Sequence, residues 1–283
     1  MKRKLPLIAM IAVGVALVCW PFVSGFFFAK QTESLLAAYD AGVQAMPPEK
    51  RTDELERAYA YNASLSGLDV ADPFVAGSGI AYPTGYDLVL DTDGSGLMGR
   101  LEIPALDLSL PIYHGADDVV LEKGVGHIST TALPVGGEGT LCVLAAHRGL
   151  PGKELFTNAD KLLAGDVFLL RVLGETFAYR VDSIAVVEPE ALLELRPVVG
   201  EDRCTLVTCT PLNINSHRLV ISGIRTVWDE GAGTGGVATA GARRGLSAYE
   251  KQLLAVVAVG AAAIGAAVAA RSRAQRMDSG SPR

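Results

Sequence analysis

A cysteine and an arginine nine residues apart lie where one predicted strand ends and the next begins. The run Thr205–Pro211 is rich in β-branched residues and stops at Pro211, because proline cannot donate a hydrogen bond to a sheet. Cys209 therefore lies at the C-terminal end of a strand. Turn-forming residues follow it, and an extended pattern resumes around Arg218. A thiol and a guanidinium in these places could converge on one substrate, as nucleophilic catalysis requires.

A cysteine nucleophile needs a nearby base or cation, because a free thiol has a pKa of about 8.5. The chain has four histidines. His147 ends a predicted strand just as the cysteine does, which favours it as the base. His114 and His127 lie in glycine-containing turns, and His217 precedes the arginine and so points to the other sheet face.

Short predicted strands dominate the chain from residue 97 onward. They are Gly99–Ile103, Leu108–Ile112, Gly139–Ala145, Val167–Leu173, Thr176–Val187, Cys204–Thr208 and Leu219–Val227. With a predicted helix at Leu155–Leu163, this pattern indicates mainly β structure and a closed or nearly closed barrel of roughly eight strands. Helical periodicity over residues 31–66, broken at Pro47 and Pro48, predicts two short helices before the barrel.

Several motifs resemble the signature of the sortase family. In chain order they are Leu110–Gly115, Gly124–His127, His147–Pro151, Leu155–Thr157, Thr205–Pro211 and Asn215–Arg218. The first two resemble the pilin-polymerising branch, usually called class C. The resemblance covers residues 35–227, and the apolar run near the C-terminus also resembles that branch.

The resemblance implies an eight-stranded barrel with three functional side chains at the mouth of one groove. Cys209 would be the nucleophile, His147 the general acid and base, and Arg218 the cation that orients the substrate or stabilises the oxyanion. The implied substrate is a Leu-Pro-x-Thr-Gly-like sorting signal, cleaved between Thr and Gly through a thioacyl-enzyme. The implied acceptor is a pilin lysine amine. We expect neither a cofactor nor a metal ion.

The segment Ala71–Phe74 resembles the lid of the same branch. The resemblance implies that Asp72 pairs with Arg218 and that Phe74 covers Cys209. An ordinary Asp-Pro turn with an anchoring phenylalanine is the alternative.

Two other functions stay open. The enzyme could attach surface proteins or finished pili to an amine of the cell-wall peptide, or the barrel could be a non-catalytic binding module on the cell surface. The intact Cys209, His147 and Arg218 argue against the binding module. A sorted wall protein is excluded, because no Leu-Pro-x-Thr-Gly motif precedes Leu253.

Apolar segments near both ends predict attachment to a lipid bilayer. Leu5–Ala29 is uncharged, follows three basic residues and is long enough to cross a hydrocarbon core of about 30 Å. The phenylalanines at its end favour an uncleaved anchor over a signal peptide. Leu253–Ala270 is a weaker candidate, followed by arginines. The positive-inside rule then places both termini in the cytosol and residues 30–248 outside.

Composition is consistent with this location. The 283 residues carry a formal net charge of −6, and 49% of them are hydrophobic. No basic cluster lies in the central region, which argues against nucleic-acid binding.

These patterns divide the chain into an N-terminal cytosolic tail and anchor (1–29), extracytoplasmic helices and lid (30–96), a catalytic barrel (97–228), a flexible linker (229–248), a C-terminal transmembrane helix (249–272) and a basic cytosolic tail (273–283).

Two weaker signals are weighed against their context. Asp91–Gly96 with Glu102 has the spacing of an EF-hand loop, but a strand is predicted over its end and no helix flanks it, so we expect no calcium site. Cys142 and Cys204 lie five residues before the predicted base and nucleophile. If their strands are adjacent, parallel and in register, the thiols are neighbours on the face away from the groove. A disulfide is permitted outside the cell, but two small buried residues are the expectation, because sheet neighbours seldom meet disulfide geometry.

Overall fold

A computed structural model describes residues 5–65, 69–75 and 82–229, together with Leu254, Ala258 and Gly260, and in these residues eight strands close into a barrel. The strands are β1 Leu97–Ile103, β2 Leu108–His114, β3 Val125–His127, β4 Thr140–Ala145, β5 Val167–Val172, β6 Glu175–Val187, β7 Asp202–Thr210 and β8 His217–Thr226. Their order around the barrel is β1-β2-β3-β4-β7-β8-β6-β5, and β1 pairs with β5 to close it. The prediction of an eight-stranded, mainly β fold is confirmed.

Apolar side chains fill the barrel interior, because alternate residues of each strand point inward. The fully buried members include Leu101, Phe168, Leu170, Tyr179, Leu206 and Ile221. This interior is the larger of two apolar clusters. The smaller one lies on the outer face of β4, β7 and β8, where it underlies the predicted site.

Strands β4 and β7 are adjacent, parallel and in register, which is the condition under which Cys142 and Cys204 are predicted to be neighbours. Cys142 lies opposite Cys204, and Ala145 lies opposite Val207. Both cysteines are free and fully buried in the barrel interior, as expected. Since parallel strands end at the same edge of a sheet, the residues that follow β4 meet the last residues of β7.

Two helices precede the barrel in the described chain, α1 Leu5–Ala45 and α2 Pro48–Ser64. The predicted break at Pro47 and Pro48 is therefore confirmed. The prediction of a separate first helix is wrong, because no proline separates Ala29 from Ala45 and the apolar segment continues into it without interruption.

Helix α1 is long and apolar enough to cross a membrane by length and composition, and its most apolar window has a mean hydropathy of 1.7. Among the described residues it is the one such helix. The chain divides into two units, and the described residues 27–229 form the unit that contains the barrel. Most of the predicted second span and of the linker before it lies outside the described residues.

The predicted helix at Leu155–Leu163 is wrong. Only a 3-10 turn forms there, at Ala159–Lys161, and Leu155 has a positive φ of 40°. Leu155, Phe156, Ala159 and Leu162 are instead buried against the barrel interior in a compact loop. Not predicted were a short helix, α3 Asp118–Leu121, and 3-10 turns at Tyr86–Leu88, Pro104–Leu106 and Pro189–Glu194.

Polar side chains of α1 and α2 attach these helices to the barrel. The Tyr39 hydroxyl donates to the Met98 carbonyl at 3.0 Å and accepts from the Leu173 amide at 3.1 Å. The Asn62 amide bonds both the N–H and the C=O of Leu133. Residues 27–45 of α1 and helix α2 are thus part of one folded unit with the barrel.

Replacing Tyr39 with phenylalanine should lower the free energy of unfolding by about 1–3 kcal/mol, because the buried amide of Leu173 and carbonyl of Met98 both lose their partner. Urea unfolding measures the change. Tyr59→Phe is the matched control, since Tyr59 is 44% exposed and its change should be close to zero. Equal losses in the two variants would contradict this account of the helix attachment.

Candidate active site

Cys209 and Arg218 lie side by side on neighbouring strands. They are register partners in the antiparallel β7–β8 pair, and directly opposite residues point to the same face. Cys209 is 6% exposed and Arg218 is 4% exposed. The fold thus brings together the thiol and guanidinium that the sequence places at two strand ends.

His147 lies at the same edge of the barrel, two residues beyond the end of β4. Hydrogen bonds between the parallel strands β4 and β7 continue up to Ala146, the residue before His147. The Ala146 amide donates to the Val207 carbonyl at 3.2 Å, and the Thr208 hydroxyl donates to the Ala146 carbonyl at 2.7 Å. The chain therefore leaves β4 at the edge of the sheet where β7 carries Cys209, and it places the half-buried imidazole of His147 there.

The segment 69–75 lies across this edge and pairs Asp72 with Arg218. The arginine Nε donates to both carboxylate oxygens, at 3.1 and 2.9 Å, and Nη2 lies 2.7 Å from Oδ2. The two side chains are only 5% and 8% exposed. Asp72 also accepts a hydrogen bond from the Phe74 amide at 3.0 Å, which fixes the turn between them.

Phe74 contacts two of the three predicted side chains directly. Its ring centroid lies 5.7 Å from that of His147, at an interplanar angle of 50°, and 5.3 Å from the Arg218 guanidinium carbon. These ring contacts are with the histidine and the arginine, and the position of Phe74 over Cys209 stays a prediction. The segment therefore closes the site by an ion pair and an aromatic contact together.

An apolar groove runs along the outer face of β4, β7 and β8 beneath this segment. Its floor consists of Leu141, Val143, Ala145, Val207 and Val220. Val70 and Phe74 pack on this floor from the segment 69–75, and α3 and the 3-10 turn at Pro189–Glu194 pack on it from the sides. The groove is thus occupied by the chain itself.

The electrostatics of the closed site favour a neutral thiol and a neutral imidazole. Burial raises the pKa of Cys209, which Arg218 lowers and Asp72 raises. Burial lowers the pKa of His147, against the opposing effect of Asp118 and Glu122. At neutral pH the proton therefore stays on sulfur and the imidazole can accept it.

Replacing Asp72 with asparagine should lower the pKa of Cys209, because a nearby negative charge disfavours the thiolate and its removal leaves Arg218 free to favour it. The pH dependence of alkylation in a Cys19→Ser background measures this pKa, since Cys19 is the exposed cysteine. Asp69→Asn is the matched control, because Asp69 lies in the same segment as Asp72 but forms an exposed ion pair with Arg196. An unchanged or raised pKa in the Asp72 variant would contradict the account.

The other three histidines have structural contacts. Both ring nitrogens of His114 lie near backbone carbonyls, at 3.1 and 2.8 Å. His127 is fully buried, between a tyrosine hydroxyl and a backbone carbonyl at 2.8 Å each. His217 points toward Glu188, at 3.2 Å. This leaves His147 as the histidine beside the groove.

The segment with calcium-loop spacing uses its carboxylates in local structure. Asp91 accepts from the Gly96 amide at 3.1 Å, and Asp93 accepts from the Ser95 amide at 2.9 Å. Glu102 lies on β1 and bonds Arg171 at 2.7 Å. Within the described ranges, no three His, Cys, Asp or Glu side chains form a group that could hold a metal ion.

Sequence reasoning assigned no role to Arg148, although it directly follows the predicted base within a quoted motif. Its guanidinium bonds Thr210, the residue after Cys209. A charged residue beside a predicted base was the available signal. Its partner could not be recognised without knowing that β4 and β7 are neighbours.

Comparison with known proteins gives a consistent result. The family model of the sortase domain matches residues 101–226. Sortase C of Streptococcus pneumoniae has a similar structure, with 39% sequence identity and a TM-score of 0.64, covering 69% of this chain and 97% of that one. For sortase C1 of Streptococcus agalactiae the values are 41% and 0.65, with 71% and 98% covered. Sortase A of Bacillus anthracis is 28% identical over 217 residues, which are 76% of this chain and 90% of that protein.

Proposed function

Because the chain belongs to the sortase family, we propose that it is a class C cysteine transpeptidase that polymerises pilins. One observation carries the proposal. Cys209 and Arg218 are register partners, with His147 at the same edge, over an apolar groove that the chain itself covers. The similarity to sortase C structures supports the class C assignment.

In the proposed reaction, the lid formed by residues 69–75 first leaves the groove, and a Leu-Pro-x-Thr-Gly-like sorting signal takes its place. The Cys209 thiol gives its proton to His147, and the thiolate attacks the carbonyl carbon of the threonine. The Thr–Gly bond then breaks. The departing glycine amine takes the proton from His147, and a thioester remains on Cys209.

Transfer of the acyl group to the acceptor uses Cys209 and His147 again, with their proton transfers in the reverse order. A pilin lysine amine attacks the thioester carbonyl and gives a proton to His147. The sulfur leaves and regains a proton, and an isopeptide bond joins the two pilins. In both steps Arg218, released from Asp72, offers its Nε and Nη2 donors to the oxyanion.

We propose that α1 anchors the enzyme in the cell membrane. A second span at residues 249–272 would place both termini in the cytosol and residues 30–248 outside. This location suits the reaction, because sorting signals and amine acceptors are then on the same side of the membrane as the groove.

Product analysis tests the proposal and separates it from its alternatives. The full-length protein in detergent is incubated with a sorting-signal peptide and either a pilin domain or a cell-wall peptide amine. We expect an isopeptide bond to a pilin lysine. A thioacyl adduct that is resolved only by the cell-wall amine would indicate wall attachment, and the absence of any adduct would indicate a binding module.

A further inference from the structure

Strand pairing does not fix the position of His147 relative to Cys209. The paired residues of β4 and β7 end at Ala145 and Val207. Beyond them, Cys209 is paired only on its other side, with β8. The last bonds between these strands are those of Ala146 to the Val207 carbonyl and the Thr208 hydroxyl. A gap in the sheet therefore opens only at His147 and Cys209 themselves, and side-chain contacts contribute to its width.

Arg148 bridges the gap with three hydrogen-bonding nitrogens. Nη1 donates to the Thr210 hydroxyl at 3.1 Å, Nε donates to the Thr157 carbonyl at 3.2 Å, and Nη2 lies 2.7 Å from the Asp160 carboxylate. The Arg148 side chain is only 8% exposed, although it carries a charge. One planar group therefore joins the residue after His147 to the residue after Cys209.

The loop that carries His147 is closed on itself and packs against the β7–β8 turn. The Phe156 amide donates to the His147 carbonyl at 3.1 Å, and the Gly149 amide donates to the Thr157 hydroxyl at 3.1 Å. Gly149 has a φ of +80°, and a Cβ on it would lie 2.5 Å from the Leu212 side chain. The loop thus has its own internal hydrogen bonds, and Arg148 adds a polar link between it and the end of β7.

We propose that Arg148 is a positioning residue that holds His147 in place against Cys209. The inference rests on the proposed function, in which a proton passes between these two side chains. A guanidinium suits the task, because its donors lie in one plane and reach three acceptors in fixed directions. A lysine ammonium keeps the charge but cannot span a hydroxyl, a carbonyl and a carboxylate at once.

The test compares Arg148→Leu, Arg148→Lys, Thr210→Val and the Arg148→Leu/Thr210→Val double variant in the full-length enzyme. The readouts are kcat and KM on a sorting-signal peptide, the pH–rate profile and Tm. Arg203→Leu is the matched control, since Arg203 lies at the other end of β7 and bonds two carboxylates, of Asp182 and Glu201.

We expect Arg148→Leu to lower kcat by about 10- to 100-fold, as small displacements of reacting groups do, with little change in KM. Thr210→Val should also lower kcat, by a smaller factor. The double variant should equal Arg148→Leu, because Arg148→Leu already removes the Arg148–Thr210 contact that Thr210→Val breaks. Arg148→Lys should recover only part of the loss. The limb of the profile that reports His147 should move to higher pH, since burial keeps its pKa low. Arg203→Leu should lower Tm without lowering kcat.

Three outcomes would overturn the inference. The first is an Arg148→Leu enzyme that loses Tm but keeps kcat and its pH profile. The second is additive losses in the double variant. If Arg148→Leu does not fold, Thr210→Val decides alone, and an unchanged kcat there is the third. A wild-type enzyme that forms no thioacyl adduct would remove the proposed function and this inference with it, whereas an active wild type with any of these three results removes only the inference.

Discussion

Replacing Arg218 with lysine is expected to lower kcat on a sorting-signal peptide by about 100- to 1,000-fold, the effect of removing an oxyanion donor. The reason lies in how the guanidinium is held. Nη1 donates to the carbonyls of Asn215 and His217, at 2.9 and 3.0 Å. These two bonds orient the plane, so that Nε and Nη2 face Asp72 in the closed site and the oxyanion after the lid opens.

Lysine cannot replace this arrangement, because its ammonium has no separate nitrogen to anchor on the backbone. Single-turnover acylation rates measure the effect directly. The matched control is Arg225→Lys, an exposed arginine on the same strand whose change should leave the rate unaltered. Acylation at the wild-type rate in Arg218→Lys would show that Arg218 serves only to hold the lid.

The Asp72→Ala/Phe74→Ala double variant is expected to speed modification of Cys209 by a thiol reagent by about 10- to 100-fold. This corresponds to about 1.4–2.8 kcal/mol of lid closure. The buried ion pair with Arg218 and the aromatic contacts with His147 and Arg218 supply that free energy in the closed state. Removing them exposes the thiol and lowers its pKa, because burial and Asp72 both raise it.

The rate is followed by mass spectrometry in the Cys19→Ser background. Val75→Ala, a change at a 49% exposed position of the same segment, is the matched control. An unchanged modification rate in the double variant would remove the lid from the account, since Cys209 would then be accessible without its movement.

The sequence predicts most strands because their limits are set locally. β-Branched runs bounded by glycine or proline recur along the barrel, and Pro211 limits β7 as expected. Strand β3 was not predicted as a strand, because Val125–His127 is too short for a period to show. Pairing with β2 and β4 on its two sides, which no local pattern records, makes it a strand.

The wrong helix at Leu155–Leu163 has a different cause. Leu155, Phe156, Ala159 and Leu162 are all buried, so their apolar spacing reports contact with the barrel. The same spacing does not come from a helix here. The positive φ of Leu155 and the bond of Arg148 to Thr157 fold the loop into turns. Apolar spacing alone does not distinguish these two cases.

The candidate site follows the same division between local and long-range information. Cys209 and His147 are recognisable at their own strand ends, and the pair Cys142 and Cys204 gives the correct register once β4 and β7 are taken as parallel neighbours. That β4 and β7 are neighbours follows from the closed barrel and not from the sequence of either strand. The role inferred for Arg148 needs it as well, because the contact joins residues 62 positions apart in the chain.

Intact-mass analysis of the full-length enzyme with a Leu-Pro-x-Thr-Gly peptide, followed by peptide mapping, tests the central claim most directly. We expect an adduct on Cys209 with the mass of the peptide through threonine less one water, formed by the wild type and absent from Cys209→Ala and His147→Ala. Peptide cleavage without an adduct, or an adduct that persists in Cys209→Ala, would contradict it.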